Sequence, residues 1–158
     1  MITEIEGDVF YSKDNILIHG CNCYGVMGAG VARIVRKFYP LAFVEDKKTG
    51  KGDSSKLGRY THSKQKHHYY PEQDIIVINA YTQYGYSWNS YNSQVVDYHA
   101  IRTVMTSIEK DFPEKSISMP RIGAGLAGGN WKIISDIIND VFKEHNITVF
   151  YLKERYNE

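Results

Sequence analysis

The stretch that decides the fold is HGCNCYGVMGAGVARIV, residues 19–35. It directly follows an apolar run, residues 16–18, of the kind found in a strand that is buried on both faces. Further along, apolar side chains recur at helical spacing, at Val31, Ile34, Val35 and Phe38. Between the strand and the helix lie Asn22, Gly25, Gly28 and Gly30, so the chain places very little side chain at this junction.

Outward from this junction, the chain alternates between strand and helix patterns. Strand-like runs cover residues 2–8, 15–22, 57–63, 74–83, 116–120 and 147–152. Helical spacing covers residues 28–38, 94–112 and 129–146. Pro40 is expected to end the first helix and Asn130 to cap the last. Residues 45–56 are charged and glycine-rich, which predicts an exposed loop.

This alternation predicts an α/β fold, a three-layer α/β/α sandwich with a central mixed sheet. The 158 residues suffice for one domain with a real core, residues 1–158. A formal net charge of +1 argues against nucleic acid as a partner, because it supplies little attraction for phosphates. The chain shows no leader peptide and no apolar run of about 18 residues, which predicts a cytoplasmic protein without a membrane partner.

Two glycine-rich junctions, residues 19–35 and 118–134, lead from a strand into a helix. In sheets of this class, ligands bind where such loops follow the carboxyl ends of strands. A helix start carries unpaired N–H groups, and glycine lets the backbone approach a ligand closely. The pair of loops therefore predicts an anion site, with a diphosphate held from both sides.

Neither loop matches a common nucleotide or phosphatase motif. The Gly-Lys-Ser/Thr of a Walker loop and the strand-terminal acid of a Rossmann fold are both absent. A cysteine phosphatase loop requires an arginine six residues after its cysteine, and neither Cys21 nor Cys23 has one. A C-x-C pair is also poor metal spacing. The cysteines are expected to be buried packing residues, and no metal or cofactor is predicted.

Four ordered blocks across nearly the whole chain resemble one known family: IEGDVF (5–10), LIHGCNCYGVMGAGVA (17–32), MPRIGAGLAGGNW (119–131) and ITVFYL (147–152). This family is the macro domain, an ADP-ribose-binding α/β/α fold. The chain is most similar to the branch of ADP-ribose-1″-phosphate phosphatases and terminal ADP-ribose glycohydrolases, and the second block especially resembles the phosphatases. The resemblance implies a hydrolase that binds ADP-ribose or its 1″-phosphate and converts the latter to ADP-ribose and phosphate.

The resemblance also implies roles for individual residues. It assigns Asp8, with its neighbour Val9, to the adenine and Asn22 to the distal ribose. It assigns two backbone loops to the distal ribose and the diphosphate: Gly28, Ala29, Gly30 and Val31, and Gly123, Ala124, Gly125, Leu126, Ala127 and Gly128. Tyr151 is a candidate for stacking on the adenine. Sparse side chains would then leave room for the ligand, which backbone N–H groups would bind.

Two interpretations of His19 stay open. Its place at the end of a buried strand favours a neutral, structural histidine. The resemblance to the phosphatases implies instead a general acid or base, which makes His19 and Asn22 the catalytic candidates. The lysine and acid of the covalent glycohydrolases are missing, because Ala127 stands at the acid's position and residues 78–88 contain no lysine. A covalent lysine mechanism is therefore disfavoured.

Two functions other than phosphate hydrolysis stay open. The rivals are removal of ADP-ribose from modified macromolecules by substrate-assisted water attack, and a non-catalytic ADP-ribose reader.

His67 and His68 lie in a polar stretch and are expected to be solvated. A crowded group of aromatic residues forms either a loop packed by its own rings or a wall over the ligand: Tyr81, Tyr84, Tyr86, Trp88 and Tyr91.

Overall fold

A computed structural model of the chain describes residues 1–86, 95–125 and 127–153. The strands in these ranges are β1 (Ile2–Glu6), β2 (Ile16–Cys21), β3 (Tyr60–Lys66), β4 (Asp74–Tyr81), β5 (Ile117–Pro120) and β6 (Ile147–Tyr151). The α-helices are α1 (Gly30–Phe38), α2 (Pro40–Lys47), α3 (Tyr98–Asp111) and α4 (Trp131–Val141). Asn130 caps α4 as predicted, because its side chain accepts a hydrogen bond from the Lys132 N–H.

The six strands form one sheet in the order β1-β6-β5-β2-β4-β3. Every neighbouring pair is parallel except β3 and β4, which run antiparallel at one edge. The predicted α/β/α sandwich with a mixed sheet is therefore confirmed. Because five strands share one direction, the loops that follow β1, β2, β4 and β5 emerge at the same edge of the sheet.

The helices cover both faces of the sheet, and β2 shows why its apolar run is continuous. Ile16 and Ile18 belong to the core beneath α3 and α4. Leu17 belongs to a separate core beneath α1 and α2. Successive side chains of a strand point to opposite faces, so a strand at the centre of three layers needs apolar residues at every position.

The segment after α1 differs from the prediction. Pro40 follows the end of α1 but also begins α2, because a proline fits the first turn of a helix, where its missing N–H is not needed. The charged segment predicted to be exposed contains two buried charges, since Asp46 is 2% exposed and Lys56 is 7% exposed. Asp46 accepts a hydrogen bond from the Tyr81 hydroxyl (2.7 Å), and Lys56 donates to Thr49 Oγ1 (2.8 Å). A composition-based loop prediction misses such a network.

The prediction for His67 is also wrong, whereas His68 is exposed as expected. The His67 side chain is 1% exposed and donates from Nε2 to the carbonyl oxygen of Ser12 (2.8 Å). Its Nδ1 accepts from the backbone N–H groups of Tyr69 and Tyr70. His67 therefore holds the β3–β4 hairpin against the segment that leads into β2.

Candidate ligand-binding cleft

A cleft runs along the edge of the sheet at which the two glycine loops emerge. Its inner cavity, about 300 Å³, lies between the loop after β2 and the loop after β5. Its outer cavity, about 590 Å³, lies between the segment after β1, the end of β6 and the start of α4. Val31, Pro120, Arg121 and Gly125 line both cavities, so the two adjoin and form one elongated cleft.

This cleft brings together most of the ligand residues predicted from the sequence. Those that line the inner cavity are Asn22, Gly28, Ala29, Gly30, Val31, Gly123, Gly125 and Ala127. Those that line the outer cavity are Asp8, Val9, Val31, Ala124, Gly125 and Tyr151. Gly128 lines neither cavity but turns the second loop with a φ of +72°. Leu126 lies outside the described residues.

Asn22 holds the first glycine loop in shape. Its Oδ1 accepts from the backbone N–H groups of Tyr24 (2.9 Å) and Val26 (3.3 Å), and its Nδ2 donates to the carbonyl oxygen of Val26 (2.9 Å). Such an Asx turn satisfies the loop backbone locally. The side-chain amide keeps one N–H that no described residue accepts, and this N–H is what Asn22 can offer a ligand.

Helix α1 begins beside the inner cavity without a side-chain cap. Its N-cap residue, Ala29, offers no acceptor, and its first turn contains no acidic residue. Gly30 has a φ of +60°, a left-handed conformation that glycine adopts without strain. The unpaired N–H groups and the positive end of the helix dipole therefore favour an anion at this end of the inner cavity.

The glycines of the second loop have two different functions. A Cβ atom at Gly125 would meet no atom within 4 Å, so this position opens onto the cleft. A Cβ atom at Gly129 would lie 2.5 Å from the Gly123 carbonyl oxygen, and one at Gly123 would lie 2.8 Å from Val96 Cγ2. The sequence interpretation, that the glycines leave room for a ligand, thus fits Gly125, whereas Gly123 and Gly129 leave room for the protein's own atoms.

Asp8 places a carboxylate in the outer cavity. Its Oδ1 accepts from the Phe10 N–H (2.9 Å) and caps a single 3-10 turn, Val9–Tyr11. Its Oδ2 has no hydrogen-bond partner among the described residues. One carboxylate oxygen is therefore available to a donor group on a ligand, while the other fixes the orientation of the side chain.

Arg121 lines both cavities, and the sequence interpretation missed it. Its Nε donates to Glu4 Oε1 (2.9 Å), which also accepts from Trp131 Nε1 (3.1 Å). Its guanidinium carbon lies 4.4 Å from the centroid of the Tyr151 ring. No described residue accepts a hydrogen bond from its Nη atoms, so their N–H groups are available to a ligand. Its position could have identified it from the sequence, because Arg121 directly follows β5 at the edge of the sheet where the loops emerge.

His19 lies in the core and does not line the cleft. It is fully buried, and its Nε2 lies 2.7 Å from Asn79 Oδ1. Asn79 donates through Nδ2 to the Ala42 carbonyl and to Thr61 Oγ1, so its Oδ1 accepts and His19 carries its proton on Nε2. Burial lowers the pKa of His19 to about 4, against the opposing effect of the Asn79 hydrogen bond. This placement favours the structural interpretation of His19.

The two cysteines are free and buried, as expected for packing residues. Cys21 lines the inner cavity, and its Sγ lies 3.6 Å from His19 Nε2. Burial raises the pKa of the Cys21 thiol well above its usual range, and burial also raises that of Cys23. Both side chains are therefore neutral thiols at pH 7.

The aromatic group divides into a cleft residue and packed rings. Tyr86 lines the inner cavity. Tyr84 packs edge-on against Tyr24, with ring centroids 5.2 Å apart, and its hydroxyl donates to the Gly52 carbonyl (2.8 Å). Tyr81 is buried, and its hydroxyl donates to Asp46 Oδ1. Trp88 and Tyr91 lie outside the described residues.

Within the described ranges, no group of three or more His, Cys, Asp and Glu side chains is arranged to hold a metal ion. The helices in the same ranges include none that is both long and apolar enough to cross a membrane.

The sequence model of one protein family, the Macro domain, matches residues 18–138. The chain belongs to the macro domain family. Its six-stranded mixed sheet between two helical layers is the fold of that family.

Three relatives illustrate how far the similarity of this macro domain extends. An uncharacterized 17.5 kDa protein from the tk-vs intergenic region of Enterobacteria phage T4 is 31% identical over 156 residues, which cover 94% of this chain and 95% of that protein. An ADP-ribose 1″-phosphate phosphatase of Candida albicans is 28% identical over 145 residues, or 84% of this chain and 88% of that protein. The Neosartorya fischeri protein of the same name is 54% identical, but only over 43 residues, 27% of this chain and 22% of that protein.

Solved structures match over nearly the whole chain. A protein of unknown function from Bacteroides thetaiotaomicron superposes with a TM-score of 0.77 at 27% identity, covering 95% of this chain and 97% of its own. DarTG of Thermosipho africanus, solved in complex with ADP-ribose, superposes with a TM-score of 0.78 at 22% identity. The match covers 98% of this chain and 42% of DarTG, and at that identity it shows the shared fold alone.

Proposed function

We propose that this macro domain binds ADP-ribose and hydrolyses ADP-ribose-1″-phosphate to ADP-ribose and phosphate. The observation that carries the proposal is the joined cleft, with an available carboxylate oxygen at one end, two backbone loops at the other and an arginine between them. ADP-ribose presents a base, a diphosphate and a terminal ribose in the same order. The similarity to the Candida albicans phosphatase, 28% identical over 84% of this chain, supports the reaction.

The outer cavity fits the adenosine end of the ligand. Asp8 Oδ2 is placed to accept a hydrogen bond from the amino group of the adenine. Tyr151 supplies an aromatic surface in the same cavity, although one of its faces already lies against Arg121. These two residues would therefore select a planar base that carries an exocyclic donor.

The inner cavity fits the diphosphate and the terminal ribose phosphate. Backbone N–H groups at the start of α1 and in the second loop would bind the phosphate oxygens, and Asn22 would offer its remaining N–H to the ribose. Phosphoryl transfer depends on positioning and on stabilising negative charge, which such fixed donors supply. His19 takes no part in this proposal, because it does not line the cavity.

The charge of Arg121 gives a prediction that separates phosphate binding from base binding. Replacing Arg121 with Gln should weaken ADP-ribose binding about tenfold to a hundredfold, the usual value of a hydrogen bond to a charged group. Adenosine, which has no phosphate, should bind within about twofold of its wild-type affinity, as measured by calorimetry. Arg102→Gln is the control, because Arg102 pairs with Asp140 on the surface of α3 and α4. An equal loss for adenosine and ADP-ribose would contradict the assignment.

The proposed reaction is tested by measuring phosphate release from ADP-ribose-1″-phosphate. The wild-type protein should release phosphate, and Gly125→Val should neither bind nor hydrolyse the compound, because its side chain would enter the open space of the cleft. Thermal unfolding of Gly125→Val should match that of the wild type. Tight binding by the wild type without phosphate release would contradict a phosphatase and favour a reader. Release of ADP-ribose from modified macromolecules alone would favour the ADP-ribosyl hydrolase.

A further inference from the structure

The part of the chain that the structure describes places none of the groups that usually activate water around the inner cavity. None of the side chains described around it is a carboxylate, an imidazole or a lysine. Arg121 only donates hydrogen bonds, and the Cys21 thiol is held neutral by burial. A hydrolase with this cavity therefore needs a neutral acceptor that can orient a water molecule.

Gln83 supplies an acceptor of this kind. It lines the inner cavity two residues beyond the end of β4, together with Asn22 and Tyr86. The Oδ1 of Asn22 already accepts two backbone N–H groups. The Oε1 of Gln83 accepts from no described residue, so of the two side-chain amide oxygens that the described residues place in this cavity it is the one that remains available.

The orientation of the Gln83 amide is fixed by its surroundings. Its Nε2 lies 2.8 Å from the Gly85 carbonyl oxygen, and a carbonyl can only accept, so the NH₂ group is on that side and Oε1 is on the other. Its backbone forms an antiparallel bridge with Val96, and its carbonyl accepts from the Cys23 thiol (3.6 Å). The acceptor oxygen is therefore held in place before any ligand binds.

We infer that Gln83 positions the water molecule that attacks the terminal phosphate, a role that rests on the phosphatase function proposed above. The water donates one O–H to Gln83 Oε1, and its oxygen forms the new bond to phosphorus. The bond between phosphorus and the O1″ oxygen breaks, and its electron pair passes to O1″. One water proton ends on O1″ and the other on the released phosphate. Gln83 remains neutral, which suffices because a loose phosphoryl-transfer transition state demands little deprotonation of the nucleophile.

Replacing Gln83 with Met tests the inference, because it removes the amide and keeps the length of the side chain. We expect kcat for phosphate release to fall about a hundredfold, the usual cost of a misplaced reactant, with KM and the Kd for ADP-ribose within twofold of wild type. Gln83→Asn should show the same loss, because it withdraws the oxygen from the water. The matched control is Gln73→Met, since Gln73 also donates to a backbone carbonyl, that of Lys13 (2.6 Å), but in the β3–β4 hairpin. It should leave kcat unchanged.

The outcomes separate this inference from the proposed function. A wild-type protein that binds the substrate and releases no phosphate would overturn both, and this is seen before any variant is made. With an active wild type, an unchanged kcat in Gln83→Met would overturn the inference alone. So would a loss confined to KM and Kd, because Gln83 would then bind the substrate without acting on the water.

Discussion

Replacing Gly129 with Ala is expected to lower the free energy of unfolding by about 3 kcal/mol, the upper range for overpacking a filled core. The new Cβ would lie 2.5 Å from the Gly123 carbonyl oxygen and 2.7 Å from Val96 Cγ1. The carbonyl has little freedom to move, because it accepts a hydrogen bond from the N–H of Gly129 itself (2.7 Å). Urea denaturation followed by circular dichroism measures the effect.

Gly125→Ala is the matched control for this prediction. It makes the same change in the same loop, where the Cβ meets no atom within 4 Å, so its free energy of unfolding should stay within about 0.5 kcal/mol of wild type. Equal stability of the two variants would contradict the division of the loop into packing glycines and a cleft glycine. It would also restore the simpler view that every glycine here makes room for a ligand.

The free energy of unfolding is expected to fall in acid because of the buried His19. The pKa of His19 is lowered from 6.5 to about 4, because burial disfavours the charged imidazolium. An unfolded chain takes up this proton near pH 6.5, whereas the folded chain resists it down to about pH 4. The stability that His19 contributes is therefore complete above pH 6.5 and falls by about 3 kcal/mol as the pH drops to 4.

His19→Gln isolates that contribution. Glutamine does not titrate and offers Asn79 an N–H, so between pH 7 and pH 4 the variant should lose about 3 kcal/mol less stability than the wild type. Urea titrations at several pH values measure this difference, and His68→Gln, at an exposed histidine, should follow the wild type. Phosphate release by His19→Gln at pH 7 should stay within about threefold of wild type. A collapse of kcat with an unaltered pH profile of stability would return His19 to a catalytic role.

The fold could be predicted from sequence because its decisive signals are local. The unbroken apolar run of β2 indicates a strand covered on both faces, and the change of period after it marks the turn into α1. Both glycine loops could also be identified from the sequence, because each is a short stretch between a strand pattern and a helix pattern. Strands that run parallel bring such loops to one edge, so two distant blocks of sequence predicted one site.

The remaining features depend on partners far along the chain. His19 is tied to Asn79, 60 residues away, and Arg121 to Glu4, 117 residues away. The sequence around Asp46 predicts a solvated charge, because it does not show that β4 places the Tyr81 hydroxyl within hydrogen-bond distance of the carboxylate. Local sequence patterns do not reveal such pairs. They therefore predict which helix or strand contains a residue better than they predict the residues that it contacts.

The tie between Glu4 and Arg121 joins the ligand cleft to the margin of the sheet. Strand β1 hydrogen-bonds to a neighbour on one side only, and most of its side chains face water. Local opening of β1 would release the anchor that holds the arginine over Tyr151. An anion that binds Arg121 more tightly when Glu4 holds the guanidinium would stabilise β1 by the same free energy, because thermodynamic coupling is reciprocal.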